Sequence, residues 1–308
     1  MPARFDPRPV AALAALSLAL GLSAQPDPGV ERWGAAELAG LITDPALDEV
    51  SGLAVSHRHR NVIWVHNDGG SGAHLYAISG TGARLARIRV AGVANTDWED
   101  LAGFELDGRH YLLIADTGDN GGLRQTLQLH VVPEPEAVTD GEVTPAWSIE
   151  FRWPDGPRDC EAVAVDATRG EILLVGKKRV PPDLFRLPLR PSDAGVLTAE
   201  PIGHLSGITQ PTPEQVARSP RFGRFRAQIS GADIRRDGRH LAILNYQIAY
   251  VYERAPGQDW GEATARAPIE VPYPWQPQAE AIGFDAEGAL WIASERRPTP
   301  LLRLSRIP

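Results

Sequence analysis

The sequence predicts an all-β fold, a five-bladed β-propeller with four strands in each blade. The first observation is a short motif in which a polar or acidic residue precedes an apolar strand and a turn. Its five copies are SGLAVS from Ser51, EDLAGF from Glu99, EAVAVD from Glu161, SGADIRRD from Ser230 and EAIGFD from Glu280. The second observation is that a further apolar run follows each copy: VIWVHND, HYLLIADTGD, EILLVGKKR, HLAILNYQ and ALWIASER. A repeat of about 40–50 residues built from short strands is typical of propeller blades.

The composition of these runs argues against helical folds. They are short, rich in Val, Ile, Leu, Trp and Tyr, and lack the i, i+3, i+4 spacing of a helical repeat. A fold of alternating strands and helices would also need helices of about ten or more residues between the strands, and no such periodic segments occur.

A six-bladed propeller is the alternative, because another blade could lie between Leu205 and Gln228. That segment contains four arginines and three prolines, and few β-branched residues. Within it, Thr212-Pro213-Glu214-Gln215 has the capping-box pattern that begins a short helix. We therefore favour five blades.

The first residues predict a secretory signal peptide at 1–24. Arg4 and Arg8 precede an apolar run from Val10 to Leu22, and small residues offer a cleavage site near Ala24. The run is short for a transmembrane helix, so an uncleaved anchor is the less favoured reading and we expect no stable membrane span. Residues 25–35 are expected to form an extended leader. A secreted or periplasmic location follows from these predictions.

The two ends of the propeller are expected to meet in one blade. Residues 36–42 and 301–307 each have the composition of a strand that lacks a sheet of its own. A circular array whose ends stay apart leaves an open sheet edge. We therefore expect the N-terminal strand to close the last blade as its outermost strand, which makes residues 36–308 a single propeller domain.

Overall composition excludes several classes of function. The formal net charge of −8 argues against a nucleic-acid partner. The sequence contains no phosphate-binding loop, dinucleotide fingerprint, zinc-spaced Cys/His set or nucleophile elbow. The single cysteine, Cys160, excludes an internal disulfide and is expected to be a small buried apolar residue. We expect a monomer.

The starts of the five motifs predict a polar ring on the propeller axis. The innermost strand of each blade lines the central channel, with alternate side chains facing the axis. The residues that this alignment places at one level are Ser51, Glu99, Glu161, Ser230 and Glu280. A second polar set, two residues earlier in each copy, consists of Glu49, Asp97, Asp159, Gln228 and Gln278.

Carboxylates that face one another across a channel repel unless a cation or a shared proton separates them. Oxygen ligands without His or Cys among them suit Ca²⁺. We therefore predict a Ca²⁺ ion bound by the five motif-initial residues. The alternatives are a shared proton and acids that begin strands in contact with solvent.

The ends of the second strands lie at the same mouth of the channel as this ring, because adjacent strands run antiparallel. Acids are expected there on blades one and two, and bases on blades three to five. The candidate ligand-binding residues are Asn67, Asp119, Lys177, Lys178, Arg179, Tyr246 and Glu295. Asp68 and Asp116 are the candidates that position or deprotonate a water molecule. A solvated strand end and a polar turn are the alternatives for the bases and the acids.

These residues resemble the calcium-activated nucleotidases, or apyrases. That family consists of five-bladed propellers with axial Ca²⁺, and the resemblance implies ligands in the order Ser, Glu, Glu, Ser, Glu, as this chain presents them. VHNDGGSGAHLYAI and LVGKKR look like two further stretches of the family. The chain departs from the pattern where Asn67 stands in place of one acid of a pair. It is also similar to secreted bacterial propellers grouped with phytase-like proteins.

Two functions follow as expectations. The first is a Ca²⁺-dependent hydrolase of a phosphorylated or other anionic small molecule, in which Lys177, Lys178 and Arg179 hold the anion. The second is a non-catalytic propeller with a structural axial Ca²⁺, which binds a peptide, a glycan or another cell-envelope ligand.

Overall fold

A computed structural model describes residues 31–192 and 195–307 and confirms the five-bladed propeller. From the innermost strand outward, blade 1 consists of Val50–Val55, Val62–Asn67, His74–Ser79 and Arg84–Val90. Blade 2 consists of Trp98–Leu106, Arg109–Asp116, Leu127–Pro133 and Trp147–Arg152. Blade 3 consists of Ala162–Asp166, Glu171–Val175, Asp183–Pro188 and Glu200–His204. Blade 4 consists of Ile229–Ile234, His240–Asn245, Ala249–Glu253 and Ile269–Val271.

Blade 5 is closed by the N-terminal strand, as the sequence predicted. Its strands are Ala279–Phe284, Leu290–Ser294, Thr299–Leu304 and, outermost, Glu37–Ile42. Glu37–Ile42 pairs antiparallel with Thr299–Leu304. Arg32–Trp33 pairs with Arg306–Ile307 in a separate two-stranded sheet, which ties the two ends of the described chain together a second time. The predicted signal peptide lies outside the described residues.

The innermost strands contact one another in cyclic order, from blade 1 to blade 5 and back to blade 1. The core is divided in the same way, with one buried apolar cluster between each pair of neighbouring blades in the described chain. Trp64 and Trp98 fill the space between blades 1 and 2, where both are fully buried. Burial of apolar surface between blades therefore fixes the ring and the direction of its axis.

Several short elements were not predicted from the sequence. Gly141–Val143 and Leu197–Thr198 add a short parallel fifth strand to blades 1 and 2, respectively. The helix Trp260–Thr264 precedes the outermost strand of blade 4, and Asp259 caps it. Two signals of the sequence are confirmed: Pro213–Arg218 is a helix with Thr212 in a capping box, and Cys160 is fully buried, which raises the pKa of its thiol to about 12. A one-turn 3₁₀ helix, Gly223–Phe225, follows in the same insertion.

Candidate metal and ligand site at the channel mouth

A β-bulge marks the motif-initial residue in four of the five blades. In blade 1, Val50 pairs with Asn67 and Gly52 pairs with His66, so Ser51 has no partner across the strand pair. The same one-residue shift leaves three further residues unpaired, namely Glu99, Ser230 and Glu280. In blade 3 the corresponding Glu161 directly precedes the paired strand. A bulge re-aims a side chain, so these blades share a local distortion at the level where the ring was predicted.

All five motif-initial residues are buried, and the two serines among them form hydrogen bonds to the neighbouring blade. The hydroxyl of Ser51 donates a hydrogen bond to the carbonyl oxygen of Glu99 at 2.9 Å and lies 3.4 Å from Glu99 Oε2. The hydroxyl of Ser230 donates to the carbonyl oxygen of Ala279, in the innermost strand of blade 5, at 2.7 Å. Each serine therefore tethers its own blade to the next one.

Two acidic clusters, one half-buried and one fully buried, share Glu99 and could each hold a metal ion. In the first, carboxylate oxygens of Asp68, Asp97 and Glu99 all lie within 4.8 Å of one another. In the second, the carboxylates of Glu99, Asp159 and Glu161 meet the same distance limit. Asp97 and Asp159 belong to the polar set that lies two residues before the ring. The structure therefore joins members of both predicted polar sets.

Two glycines make room for the first cluster. A Cβ atom added at Gly118 would overlap the carboxylates of Glu99 and Asp97, and one added at Gly69 would overlap Asp97. Both glycines belong to loops that follow a second strand, at the mouth of the channel. A side chain at either position would therefore occupy the space that the carboxylate of Asp97 fills.

Lys177 brings a positive charge into the second cluster. Its ammonium group pairs with the carboxylate of Glu161, and the lysine is 9% exposed. The charge of Lys177 also acts on Glu99 and Glu280, where it favours the ionised carboxylates. Lys178 pairs with Asp159 at 2.9 Å from a half-exposed position. One buried lysine therefore offsets part of the negative charge at the axis.

Burial, together with the remaining repulsion, raises the pKa of several carboxyl groups at the mouth. Burial, followed by the charge of Asp68, holds the pKa of Glu99 well above its usual range. Burial and the neighbouring charges of Asp68 and Asp159 raise the pKa of Asp97 to about 6. Burial and the charge of Glu295 raise the pKa of Glu280 to about 8. Burial and like charge thus disfavour the ionised forms of Asp97, Glu99 and Glu280, and a cation or a retained proton would relieve this.

Blades 4 and 5 complete the mouth with a tyrosine and an acid. The hydroxyl of Tyr246 donates to Glu280 Oε1 at 3.1 Å. Glu295 accepts a hydrogen bond from the side-chain amide of Gln278, and burial followed by the charge of Asp68 raises the pKa of Glu295. Asp68 therefore acts electrostatically on blades 2 and 5 from its position on blade 1.

The structure gives local bonding roles to Asp116 and Asp119. The buried carboxylate of Asp116 pairs with Arg124 at 2.7 Å and accepts the backbone N–H groups of Thr96 and Asp97 at 3.2 and 3.3 Å. Asp119 accepts the N–H groups of Leu123 and Arg124 at 2.7 and 3.0 Å. These bonds fix the loop that contains Asp97 and the loop that follows the second strand of blade 2. The roles predicted for both acids in catalysis and ligand binding stay predictions.

Asn67 and Arg179 lie at the edge of the mouth. The amide of Asn67 donates to the carbonyl oxygen of Ala46 at 2.8 Å. Arg179 pairs with Asp155 at 3.3 Å and Asp183 at 3.2 Å, with its side chain 58% exposed. An open cleft of about 300 Å³ lies beside Arg179, and residues of three loops line it, including Lys177, Lys178, Asp119 and Asp159. The predicted cations and Asp159 of the second acidic cluster thus border the same cleft.

Sequence reasoning missed Asp100, the residue that follows Glu99. It is fully buried, and its Oδ2 accepts the N–H groups of Val163 at 2.8 Å and Ala232 at 3.1 Å. Since Val163 and Ala232 belong to blades 3 and 4, one carboxylate of blade 2 joins three innermost strands. Asp233 extends this pattern from blade 4 to Phe284 of blade 5 at 2.7 Å. The signal available in the sequence was an acid within the apolar start of an innermost strand. The sequence cannot tell whether Glu99 or Asp100 faces the mouth, because the bulge at this position decides it.

No helix in the described ranges is long and apolar enough to cross a membrane. No family model and no curated protein matches the sequence.

Three solved structures are similar to this chain at low sequence identity. Raptor from Chaetomium thermophilum is 14% identical with a TM-score of 0.36, and the match covers 86% of this chain but only 20% of that one. A protein of unknown function from Bacteroides thetaiotaomicron is 12% identical with a TM-score of 0.45, over 90% of this chain and 77% of that one. A luciferin-regenerating enzyme is 11% identical with a TM-score of 0.44, over 84% and 78% of the two chains. Similarity at this level carries no function to this chain, and the fold assignment rests on the strand pairing itself.

Proposed function

We propose that this protein is a Ca²⁺-binding β-propeller that takes an anionic small molecule at its channel mouth, outside the cytoplasm. One observation carries the proposal: Glu99 is a buried member of two carboxylate clusters, and burial and its neighbours hold its pKa well above the usual range. Buried carboxyl groups that lie close together either keep their protons or need a cation to compensate the charge of their ionised forms.

The donor chemistry fits Ca²⁺. The two clusters offer carboxylate oxygens from Asp68, Asp97, Glu99, Asp159 and Glu161. All of these are hard oxygen donors, and Ca²⁺ accepts six to eight such ligands in flexible geometry. The predicted ring adds two serine hydroxyls and Glu280. We assign the ion to the mouth as a whole, with Glu99 as the ligand common to both clusters.

The charge distribution supports an anionic ligand. The cleft of about 300 Å³ is lined by Lys178 and Arg179 and by Asp159, a candidate metal ligand that pairs with Lys178. When bound, the ion would supply positive charge next to an anionic group in this cleft. Lys178 and Arg179 would then hold and orient the same anion by charge-assisted hydrogen bonds.

Hydrolysis of the bound molecule is the second candidate function, and the position of Asp68 favours it. The carboxylate of Asp68 is half-buried beside Glu99, and one of its oxygens accepts the N–H group of Gly69 at 2.5 Å. It would hold a water molecule through its other oxygen and accept a proton from it. Asp116 has fewer free acceptor sites, because Arg124 and two backbone N–H groups use its oxygens.

The experiment measures turnover of nucleoside triphosphates and of aryl phosphate esters, with Ca²⁺ and with EDTA. Hydrolysis that depends on Ca²⁺ and falls at least about 100-fold in Asp68→Asn would support the enzyme, since general-base catalysis is worth about 100- to 10,000-fold. Asp107→Asn is the control, because Asp107 lies in an exposed turn at the opposite end of the channel. Ca²⁺-dependent binding of these anions without turnover would support the non-catalytic function. If the anions bind equally well in Ca²⁺ and in EDTA, the ion takes no part in ligand binding and that part of the proposal is wrong.

A further inference from the structure

The mouth face of the propeller carries exposed, large apolar side chains. Loops that join second to third strands, and loops that join one blade to the next, all lie on this face. Four of their side chains are more than half exposed: Leu123 at 79%, Val180 at 68%, Trp275 at 64% and Phe222 at 58%. In the described turns of the opposite face, Val196 at 43% is the one exposed large apolar residue. Exposed apolar groups gathered on one face mark an interaction surface.

The insertion between blades 3 and 4 adds positive charge to this face. Arg218, Arg221 and Arg224 are exposed, and no carboxylate among the described residues pairs with them. The guanidinium of Arg221 lies 5.0 Å above the ring of Phe222, and that of Arg224 lies 4.5 Å above the ring of Phe225. Glu214 is the one acid in this stretch of sequence.

Trp275, which belongs to the next loop on the same face, lies beside this insertion. Trp275 lines an open cleft of about 300 Å³ together with Gln215, Arg226 and residues of blade 4. The insertion and the loop before blade 5 thus form one continuous surface. We define the basic–aromatic patch as Arg218, Arg221, Phe222, Arg224 and Trp275.

We propose that the basic–aromatic patch docks on the surface of a membrane that contains anionic lipids. Phe and Trp side chains lie favourably at the level of lipid headgroups, and arginines nearby attract the negative surface and donate hydrogen bonds to phosphates. Because Arg221 and Arg224 stack on aromatic rings, charge and ring alternate within the patch. This alternation suits a lipid interface, where rings insert below the headgroups and guanidinium groups stay among them.

An acidic protein is the other class of partner that such charges attract. The core of a protein–protein interface is usually depleted of charged residues, with polar groups at its rim. Here the charged groups lie on the rings themselves, so we favour the lipid surface. The docked protein would turn its channel mouth toward the membrane. The inference does not depend on the presence of Ca²⁺ in that mouth.

The test measures partition of the full chain into vesicles of phosphatidylcholine with and without 30% phosphatidylglycerol, in EDTA. The readout is the ratio of the two partition coefficients, because the apolar residues 10–22 could bind both kinds of vesicle. Each arginine near an anionic surface is worth about fivefold in binding, so Arg221→Glu combined with Arg224→Glu should lower the ratio at least about 25-fold. The matched control is Arg60→Glu combined with Arg109→Glu, two exposed arginines on the opposite face, which should leave the ratio unchanged.

A second pair of variants tests the aromatic part. Phe222→Ser should weaken partition into anionic vesicles several-fold, while Val196→Ser, on the opposite face, should not. Circular dichroism checks that all variants are folded. The inference is wrong if the wild-type chain shows no preference for anionic vesicles. It is also wrong if the patch variants and the control variants lower the ratio of partition coefficients equally. Binding of polyglutamate with the same arginine dependence, in the absence of vesicle binding, would replace the lipid with an acidic protein.

Discussion

Glu280→Gln should stabilise the cation-free protein at alkaline pH. Glu280 is buried in blade 5, accepts a hydrogen bond from Tyr246 at 3.1 Å and has a pKa raised to about 8, first by burial and then by the charge of Glu295. Glutamine has the shape of the protonated acid and keeps an oxygen for Tyr246. The substitution therefore removes a charge that the folded protein accommodates poorly and leaves the hydrogen bond in place.

The magnitude follows from the difference in pKa between the folded and unfolded states. Between the ordinary value of 4.5 and about 8, folded Glu280 keeps a proton that the unfolded chain has released, so the free energy of unfolding falls as pH rises. At pH 8 the accumulated cost is up to about 4 kcal/mol, at about 1.4 kcal/mol per pKa unit. Below pH 4.5 the cost is absent. Glu280→Gln should thus match the wild type at pH 5 to within about 1 kcal/mol and exceed it by up to about 4 kcal/mol at pH 8.

The assay is equilibrium unfolding in urea at pH 5 and pH 8, in EDTA and in Ca²⁺. Glu287→Gln, which removes an exposed carboxylate from the same blade, is the control and should change little at either pH. A cation at the mouth compensates the charge of Glu280, so Ca²⁺ should narrow the gap between wild type and Glu280→Gln at pH 8. The reasoning is refuted if Glu280→Gln is less stable than the wild type at pH 8 in EDTA, or if Ca²⁺ leaves the gap unchanged.

Two further substitutions probe the cation and the space around the clusters. Lys177→Met removes the buried partner of Glu161, so it should cost about 3–5 kcal/mol of unfolding free energy in EDTA and raise Ca²⁺ affinity in calorimetric titration. Gly118→Ala places a Cβ against the carboxylates of Glu99 and Asp97. It should cost about 1–3 kcal/mol in urea unfolding and weaken Ca²⁺ binding at least tenfold.

Each of these substitutions has a matched control. The side chain of Lys178 is 43% exposed, against 10% for Lys177, so Lys178→Met should cost less than Lys177→Met even though its partner Asp159 is buried. Gly141 has room for a methyl group, with its nearest neighbour 3.8 Å from an added Cβ, so Gly141→Ala should leave Ca²⁺ binding intact. Equal losses in Lys177→Met and Lys178→Met would show that Lys177 is not the central cation. Normal Ca²⁺ binding by Gly118→Ala would place the ion away from Glu99 and Asp97.

The repeated motif was sufficient to predict the architecture. Short apolar runs, each after a polar residue and each followed by a second apolar run, predicted the number of blades. The strand predicted at residues 36–42 had no partner nearby in the sequence. Because an open edge in a circular array is unfavourable, it was expected to close the last blade. The capping box at Thr212 predicted the helix Pro213–Arg218 from purely local chemistry. These features depend on local pattern or on a general rule of sheet closure.

The details of the mouth depend on contacts that no local pattern contains. The bulge at Glu99 breaks the alternation of side chains, so sequence periodicity alone cannot tell whether Glu99 or Asp100 faces the mouth. The pairing of Lys177 with Glu161 arises from the loop after a second strand and had no signature in spacing. The hydrogen bonds that the N–H groups of Thr96 and Asp97 donate to Asp116 join the loop before blade 2 to the end of its second strand. The sequence was sufficient to predict that these residues lie at one end of the channel. The folded structure was needed to show which of them form the acidic clusters and which hold the surrounding loops in place.

Isothermal titration of the metal-free protein with Ca²⁺, alongside Glu99→Gln, tests the central claim most directly. Glu99 belongs to both carboxylate clusters, so one substitution removes a ligand from each. We predict saturable Ca²⁺ binding to the wild type, a thermal melting temperature that rises with Ca²⁺ concentration, and loss of both effects in Glu99→Gln. A wild-type protein that neither binds Ca²⁺ nor melts at a higher temperature in its presence, or a Glu99→Gln variant that binds it equally well, would contradict the account.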